Sequence, residues 1–200
     1  MAHDFDQALI RRGTDSLKWQ RYGAALPLWV ADMDFTAPES VVAALHERVE
    51  HGVFGYGAPP DELTETICAR LADFYGWTVT PEQLVYLPGL VCGLNVACRA
   101  VGEAGDSVLV QTPVYPPFLS APIYQDRQLI TAELTAELHD GRLYYRFDDA
   151  AFAETINQNT RLFILCHPHN PVGRSFSREE LNRLATICEQ RNLIICSDEI

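Results

Sequence analysis

The sequence predicts an α/β fold: a mostly parallel sheet with helices on both faces, preceded by an irregular N-terminal arm. Three observations carry that expectation. Short runs such as residues 162–165 and 193–196 are apolar at consecutive positions, as in strands buried on both faces of a parallel sheet. Stretches with helical periodicity stand between such runs, so right-handed crossovers join parallel neighbours. In sheets of this kind the ligand crevice lies beyond the carboxyl ends of the strands, and the unusual polar residues of this chain gather there.

Composition narrows the function classes. Two hundred residues with 48% hydrophobic content suffice for one domain with a substantial core. A net charge of -12 argues against nucleic-acid binding, which needs a basic surface. Every apolar stretch is broken well short of the roughly 20 residues that a membrane span needs. The opening MAHDFDQALIRRG has no apolar core of a signal peptide. Six cysteines without a C-x-x-C pair, several inside apolar runs, read as free thiols of a reducing, cytoplasmic protein.

Taken in order, residues 1–35 form the arm, and residues 36–200 form most of one large domain. The arm carries GTDSLKW at 13–19 and LPLWVADMDF at 26–35. The second piece reads either as a strand end with solvated acids or as the lip of a site. Thr36 and Glu39 form a capping box for a helix whose stripe of Val41, Val42, Leu45 and Val49 packs on the domain and stops at Gly52. In residues 54–57 two glycines free the backbone around Tyr56. Residues 61–75 form an amphipathic helix stopped by Gly76. A strand over residues 84–87 then leads through Pro88 and Gly89 into a helix reaching about residue 101. Such a turn offers free N–H groups and the positive dipole end to an anion.

The next strand, residues 107–111, ends in TPVYPPF, where three prolines make a rigid loop that fixes the Tyr115 ring. Residues 127–134 read as a strand, Asp140-Gly141 as a turn, and residues 148–156 as a short helix. After the strand at 162–165 comes HPHNPVG, a turn that places the Asn170 amide at the crevice. Ser177 and Glu180 form a second capping box, and Leu181, Leu184, Ala185 and Cys188 make one apolar face. Asp198 follows LIIC, so its carboxylate stands at the rim of a buried strand and needs a cationic or hydrogen-bonding partner. His167 and His169 beside Cys166 lack a second ligand cluster at zinc-site spacing and read as loop residues, with no metal site.

PHNPVGR followed by SDEI resembles the fold-type I pyridoxal-phosphate enzymes of the class I/II aminotransferase superfamily. GTDSLKW with PLWVADMDF resembles its cystathionine beta-lyase branch, the MalY/PatB-type C–S lyases. The resemblance implies that Asp198 pairs with the pyridinium nitrogen of pyridoxal 5'-phosphate (PLP), Asn170 hydrogen-bonds its ring hydroxyl oxygen and Tyr115 stacks on its ring. It also implies that Gly89, Leu90 and Val91 hold the phosphate, that Tyr56 reaches the phosphate of the other subunit of a homodimer, and that backbone near Ala31 meets the substrate carboxylate. The implied activity is β-elimination from a sulfur-containing amino acid, giving pyruvate, ammonia and a thiol. An aminotransferase is the alternative, since the same ring contacts serve both, and a non-catalytic or truncated protein is the third reading.

Lysine usage supports that third reading. Such enzymes need a lysine for the Schiff base, and the single lysine here, Lys18, lies in the arm. By the resemblance the catalytic lysine follows the SDEI strand. The expectation is therefore an N-terminal part, about half, of a longer protein, holding no catalytic residue of its own, with the lysine beyond Ile200.

Overall fold

A computed structural model of the chain describes residues 4–7 and 9–200, and divides into the units Met1–Pro60 and Asp61–Ile200. The first unit holds a one-turn helix α1 (Leu17–Gln20) and a longer helix α2 (Glu39–His51). The expected capping box at Thr36 is not what starts α2. Its N-cap is Pro38, without a side-chain cap bond, and Glu39 is the first helical residue rather than the third. Gly52 ends it in the left-handed region, as expected. α2 buries no residue, and Leu45 and Val49 of its apolar stripe are 62% and 63% exposed.

The second unit begins with α3 (Asp61–Tyr75) and α4 (Leu90–Ala100). It continues through β1 (Ser107–Thr112), α5 (Pro116–Tyr124), β2 (Gln128–Glu133), β3 (Thr135–His139) and β4 (Arg142–Arg146). It closes with α6 (Asp149–Thr155), β5 (Thr160–Cys166), α7 (Arg178–Gln190) and β6 (Ile194–Asp198). Four strands form one parallel sheet in the order β2-β1-β5-β6, while β3 and β4 make a separate hairpin. The hairpin turns at Asp140 and Gly141, both at positive φ, which is the backbone that suits a two-residue connection between right-twisted strands.

Strand periodicity explains how one sheet acquires two cores. Successive side chains point to opposite faces. Val108, Val110, Leu162 and Ile164 face α4 and α5, packing with Leu94, Cys98 and Phe118. Leu109, Phe163 and Leu165 face the other way, packing with Phe152 of α6 and Leu184 and Cys188 of α7. Each of these large side chains contributes about 1.5–3 kcal/mol through burial. The expected helices on both faces are therefore present, and the consecutive apolar residues of β1 and β5 are their cause.

Local signals position the helices. Ser177 Oγ accepts from the Glu180 N–H at 3.2 Å, while the Ser177 N–H donates to Glu180 Oε2 at 2.8 Å, completing the expected capping box of α7. Asp148 Oδ1 likewise accepts from the Ala151 N–H at 3.0 Å and starts α6.

Three expectations are corrected. Residues 84–87 run extended but join no ladder among the described residues, and Val85 is 79% exposed. A short apolar run becomes a strand only when a neighbour supplies its hydrogen bonds. TPVYPPF is not a loop throughout: α5 starts at Pro116, a first helical position at which a missing N–H costs nothing. Finally, β6 is not covered on both faces. It pairs with β5 alone, and Ile194 and Ile195 remain 56% and 37% exposed.

Candidate functional site

Three parallel strands end on one level. Val110 pairs with Ile164 and Ile164 with Cys196, so Thr112, Cys166 and Asp198, each two residues further, close β1, β5 and β6 together. Tyr115 follows the first end, Asn170 the second, and Asp198 is itself the third. The loops are bonded to one another there. The Tyr115 N–H donates to the Asn170 carbonyl at 3.0 Å, and the His167 N–H donates to the Asp198 carbonyl at 2.9 Å. The sheet thus brings Tyr115, Asn170 and Asp198, far apart in sequence, to neighbouring positions at its carboxyl edge.

Their side chains remain available. Tyr115 is 42% exposed at the start of α5, and Asn170 is exposed. Asp198 is half-buried, and its Oδ1 accepts only a long bond, 3.3 Å, from the Ile200 N–H. Among the described residues Asp198 has no ion-pair partner, and its carboxylate is half-buried rather than enclosed. The set comprises an anionic acceptor, an amide and an aromatic face, which fits a protonated heteroaromatic ring bearing an oxygen substituent.

Gly89 caps α4, and the first intrahelical bond runs from the Gly93 N–H to the Gly89 carbonyl at 3.1 Å. The amides of Leu90 and Val91 precede that bond and carry the positive end of the helix dipole, which suits an anion. In the first unit, Ala31 is exposed beside Val30, whose φ of 63° is unusual for a β-branched residue. Tyr56 is fully exposed in a segment without regular secondary structure.

Lys18 is committed elsewhere. It is 9% exposed, and its Nζ donates to Asp34 Oδ2 at 3.0 Å and to the Asp32 carbonyl at 2.8 Å. Arg11 Nη1 reaches Asp34 Oδ1 at 2.7 Å and Arg11 Nη2 reaches Asp32 at 2.9 Å, while the Trp19 indole N–H donates to Asp34 at 2.9 Å. Trp19 foremost, then Lys18 and Arg11, hold the Asp34 carboxyl down at about 2. The D-x-D of this segment is therefore an ion-pair node rather than a pair of solvated acids.

All six cysteines are free, and burial pushes the Cys98 and Cys188 thiols up to about 11. These thiols stay protonated and unreactive. Among the described residues no cluster of three metal-ligating side chains exists, and no helix is long and apolar enough to cross a membrane.

A cleft of about 840 Å³ lies elsewhere, between the hairpin and the start of α7, lined by Tyr144, Arg146, Val172, Arg174, Glu180 and Arg183 among others. Its arginines are already paired, Arg146 with Glu137, Arg174 with Glu180 and Arg183 with Asp149. None of the expected site residues lines it, and the chemistry of the strand ends outweighs its size.

The family model for aminotransferase class I and II matches residues 26–200. The chain belongs to this family. It is 41% identical to cystathionine beta-lyase PatB of Bacillus subtilis, over 98% of this chain and 52% of that protein. The crystal structure of OvoB superposes with a TM-score of 0.87 at 42% identity, covering 98% of this chain and 52% of that one. The PLP-bound C–S lyase from Staphylococcus hominis superposes with a TM-score of 0.87 at 32% identity, covering 100% and 52%. The chain spans about half the length of the curated relatives it matches. The expected fold class and family branch agree with these likenesses. Sequence reasoning read His169 as a loop residue, and the structure instead buries its side chain, which no local signal in HPHNP announced.

Proposed function

We propose that these residues form the cofactor-holding part of a PLP-dependent carbon–sulfur β-lyase, which converts a sulfur-containing amino acid into pyruvate, ammonia and a thiol. The observation that carries this reading is the placement of Tyr115, Asn170 and Asp198 at one level of three adjacent parallel strands, in a chain whose relatives include cystathionine beta-lyases. When bound, PLP supplies an electron sink for the charge left at the substrate α-carbon.

The chain's own residues hold and orient it. The Asp198 carboxylate accepts a hydrogen bond from the ring nitrogen and keeps a proton there. The Asn170 amide donates to the ring oxygen, and Tyr115 offers an aromatic face to the ring. The amides of Gly89, Leu90 and Val91 receive the phosphate, and backbone at Ala31 receives the substrate carboxylate. Tyr56 completes the phosphate site of a second subunit in a homodimer. Lys18, the single lysine of this sequence, is held by Asp34 and the Asp32 carbonyl and takes no part in this reading, so these 200 residues by themselves are not expected to turn over substrate.

Product analysis tests the reading on the protein that carries this chain. With cystathionine it yields pyruvate in the absence of any added 2-oxo acid acceptor; a requirement for such an acceptor would establish the aminotransferase alternative instead. Asp198→Ala lowers β-elimination by orders of magnitude, roughly a hundredfold or more, as loss of the group that keeps the ring protonated requires. Activity within a few-fold of the parent would place the ring elsewhere.

A further inference from the structure

One buried polar side chain stands between the loops of Tyr115 and Asn170. His169 is 1% exposed. Its Nε2 lies 2.9 Å from the Pro113 carbonyl, and a carbonyl only accepts, so the ring carries a proton on Nε2 and donates it there. Burial, the largest influence, pushes the His169 pKa below its ordinary value, with Arg174 and His167 adding to that against the pull of the Pro113 and Cys166 backbone carbonyls. The ring is therefore neutral, and its Nδ1 is buried without a hydrogen-bond partner. Its main chain is tied on the other side: the His169 N–H donates to the Arg174 carbonyl at 2.7 Å, and the His169 carbonyl accepts from the Gly173 N–H at 2.8 Å.

A leucine or phenylalanine would fill this space without leaving a ring nitrogen unsatisfied. The hydrogen bond that the His169 ring makes reaches a loop 56 positions away in sequence, two residues before Tyr115. One residue further along its own loop, the Asn170 carbonyl accepts from the Tyr115 N–H. The two loops are thus cross-linked twice, once by backbone and once by this ring.

We infer that His169 is a positioning residue for the PLP site: by holding the Pro113 carbonyl it sets the spacing between the Tyr115 ring and the Asn170 amide. The inference rests on the cofactor reading above. His169 touches neither cofactor nor substrate and acts through Pro113.

The test measures PLP affinity and amide exchange in the protein that carries this chain. His169→Leu weakens PLP binding about tenfold, the scale of leaving one buried acceptor unpaired, and speeds exchange of the Tyr115 amide. His169→Gln, which retains a side-chain N–H donor, restores most of both. Phe176→Leu, altering a ring packed 5.9 Å from the same imidazole, lowers thermal stability but leaves PLP affinity in place. If His169→Leu weakens PLP binding no more than Phe176→Leu does, the positioning role is wrong. Should His169→Leu fail to fold, the nitrogen NMR shifts of the parent ring decide, since a proton on Nδ1 instead of Nε2 overturns the inference. Asn170→Ala and Tyr115→Ala separate the two levels. If they leave PLP affinity unchanged, the site reading itself fails; if they weaken it while His169→Leu does not, only the role of His169 fails.

Discussion

The two units of the chain are held together by different physics. Residues 61–200 surround a sheet whose alternate side chains feed two apolar cores, with Leu109, Leu162 and Phe163 fully buried. Among the described residues of Met1–Pro60 the buried-core clusters have no member, and α2 buries nothing. What orders that unit is the node at Asp34, where Arg11, Lys18 and Trp19 converge. Apolar burial is non-directional and draws on the whole sequence pattern, whereas a polar node depends on a few donors meeting one acceptor. The first kind of order is expected to withstand salt and acid better than the second.

Perturbations of the two kinds sharpen that contrast. The largest effect is expected at Phe163, buried against Phe152 with ring centroids 5.0 Å apart. Phe163→Ala destabilises residues 61–200 by about 3–5 kcal/mol in chemical denaturation. A loss below about 1 kcal/mol would mean that the core is less tightly built than its burial indicates.

Asp34→Ala is expected to release the Trp19 indole, seen as faster exchange of its N–H resonance, while amide protection in β1 and β5 is unchanged. Acid acts on the same group. The Asp34 carboxyl is held at about 2 against an ordinary 3.8. A folded-state value below the unfolded one gives stability that is present above about 4 and is lost as pH falls towards 2. Protection of the Trp19 indole therefore fades over that window in the parent and shows no such step in Asp34→Asn. Salt near 1 M, where the screening length is about 3 Å, weakens the node and leaves the sheet untouched. Equal responses of the two units to acid and salt would erase the distinction.

The smallest effect belongs to a helix end. Ser177→Ala removes the acceptor for the Glu180 N–H and costs about 1 kcal/mol. Its measurement is the shift in denaturation midpoint, and no shift would mean that Glu180 alone sustains the first turn of α7.

How far the sequence could be read follows the same divide. Residues 107–111 and 162–165 were legible as strands because apolar side chains on both faces leave a buried parallel sheet as their consistent placement. Ser177 with Glu180 was legible because a capping box is local. Residues 84–87 carried the same apolar signal and formed no strand, since pairing depends on a neighbour that composition cannot supply. The order of Tyr115, Asn170 and Asp198 suggested a site, but their common level at three strand ends comes from the register of β1, β5 and β6. His169 was hidden for the same reason, its partner Pro113 lying in a distant loop.

By itself the sequence determined the α/β class, the capped start of α7 and the residue types at the strand ends, because periodicity and capping are properties of neighbours along the chain. Tertiary structure decided which strands pair, which apolar stripes find cover and which buried side chain ties the Tyr115 loop to the Asn170 loop, because those contacts join residues that only the folded sheet brings together.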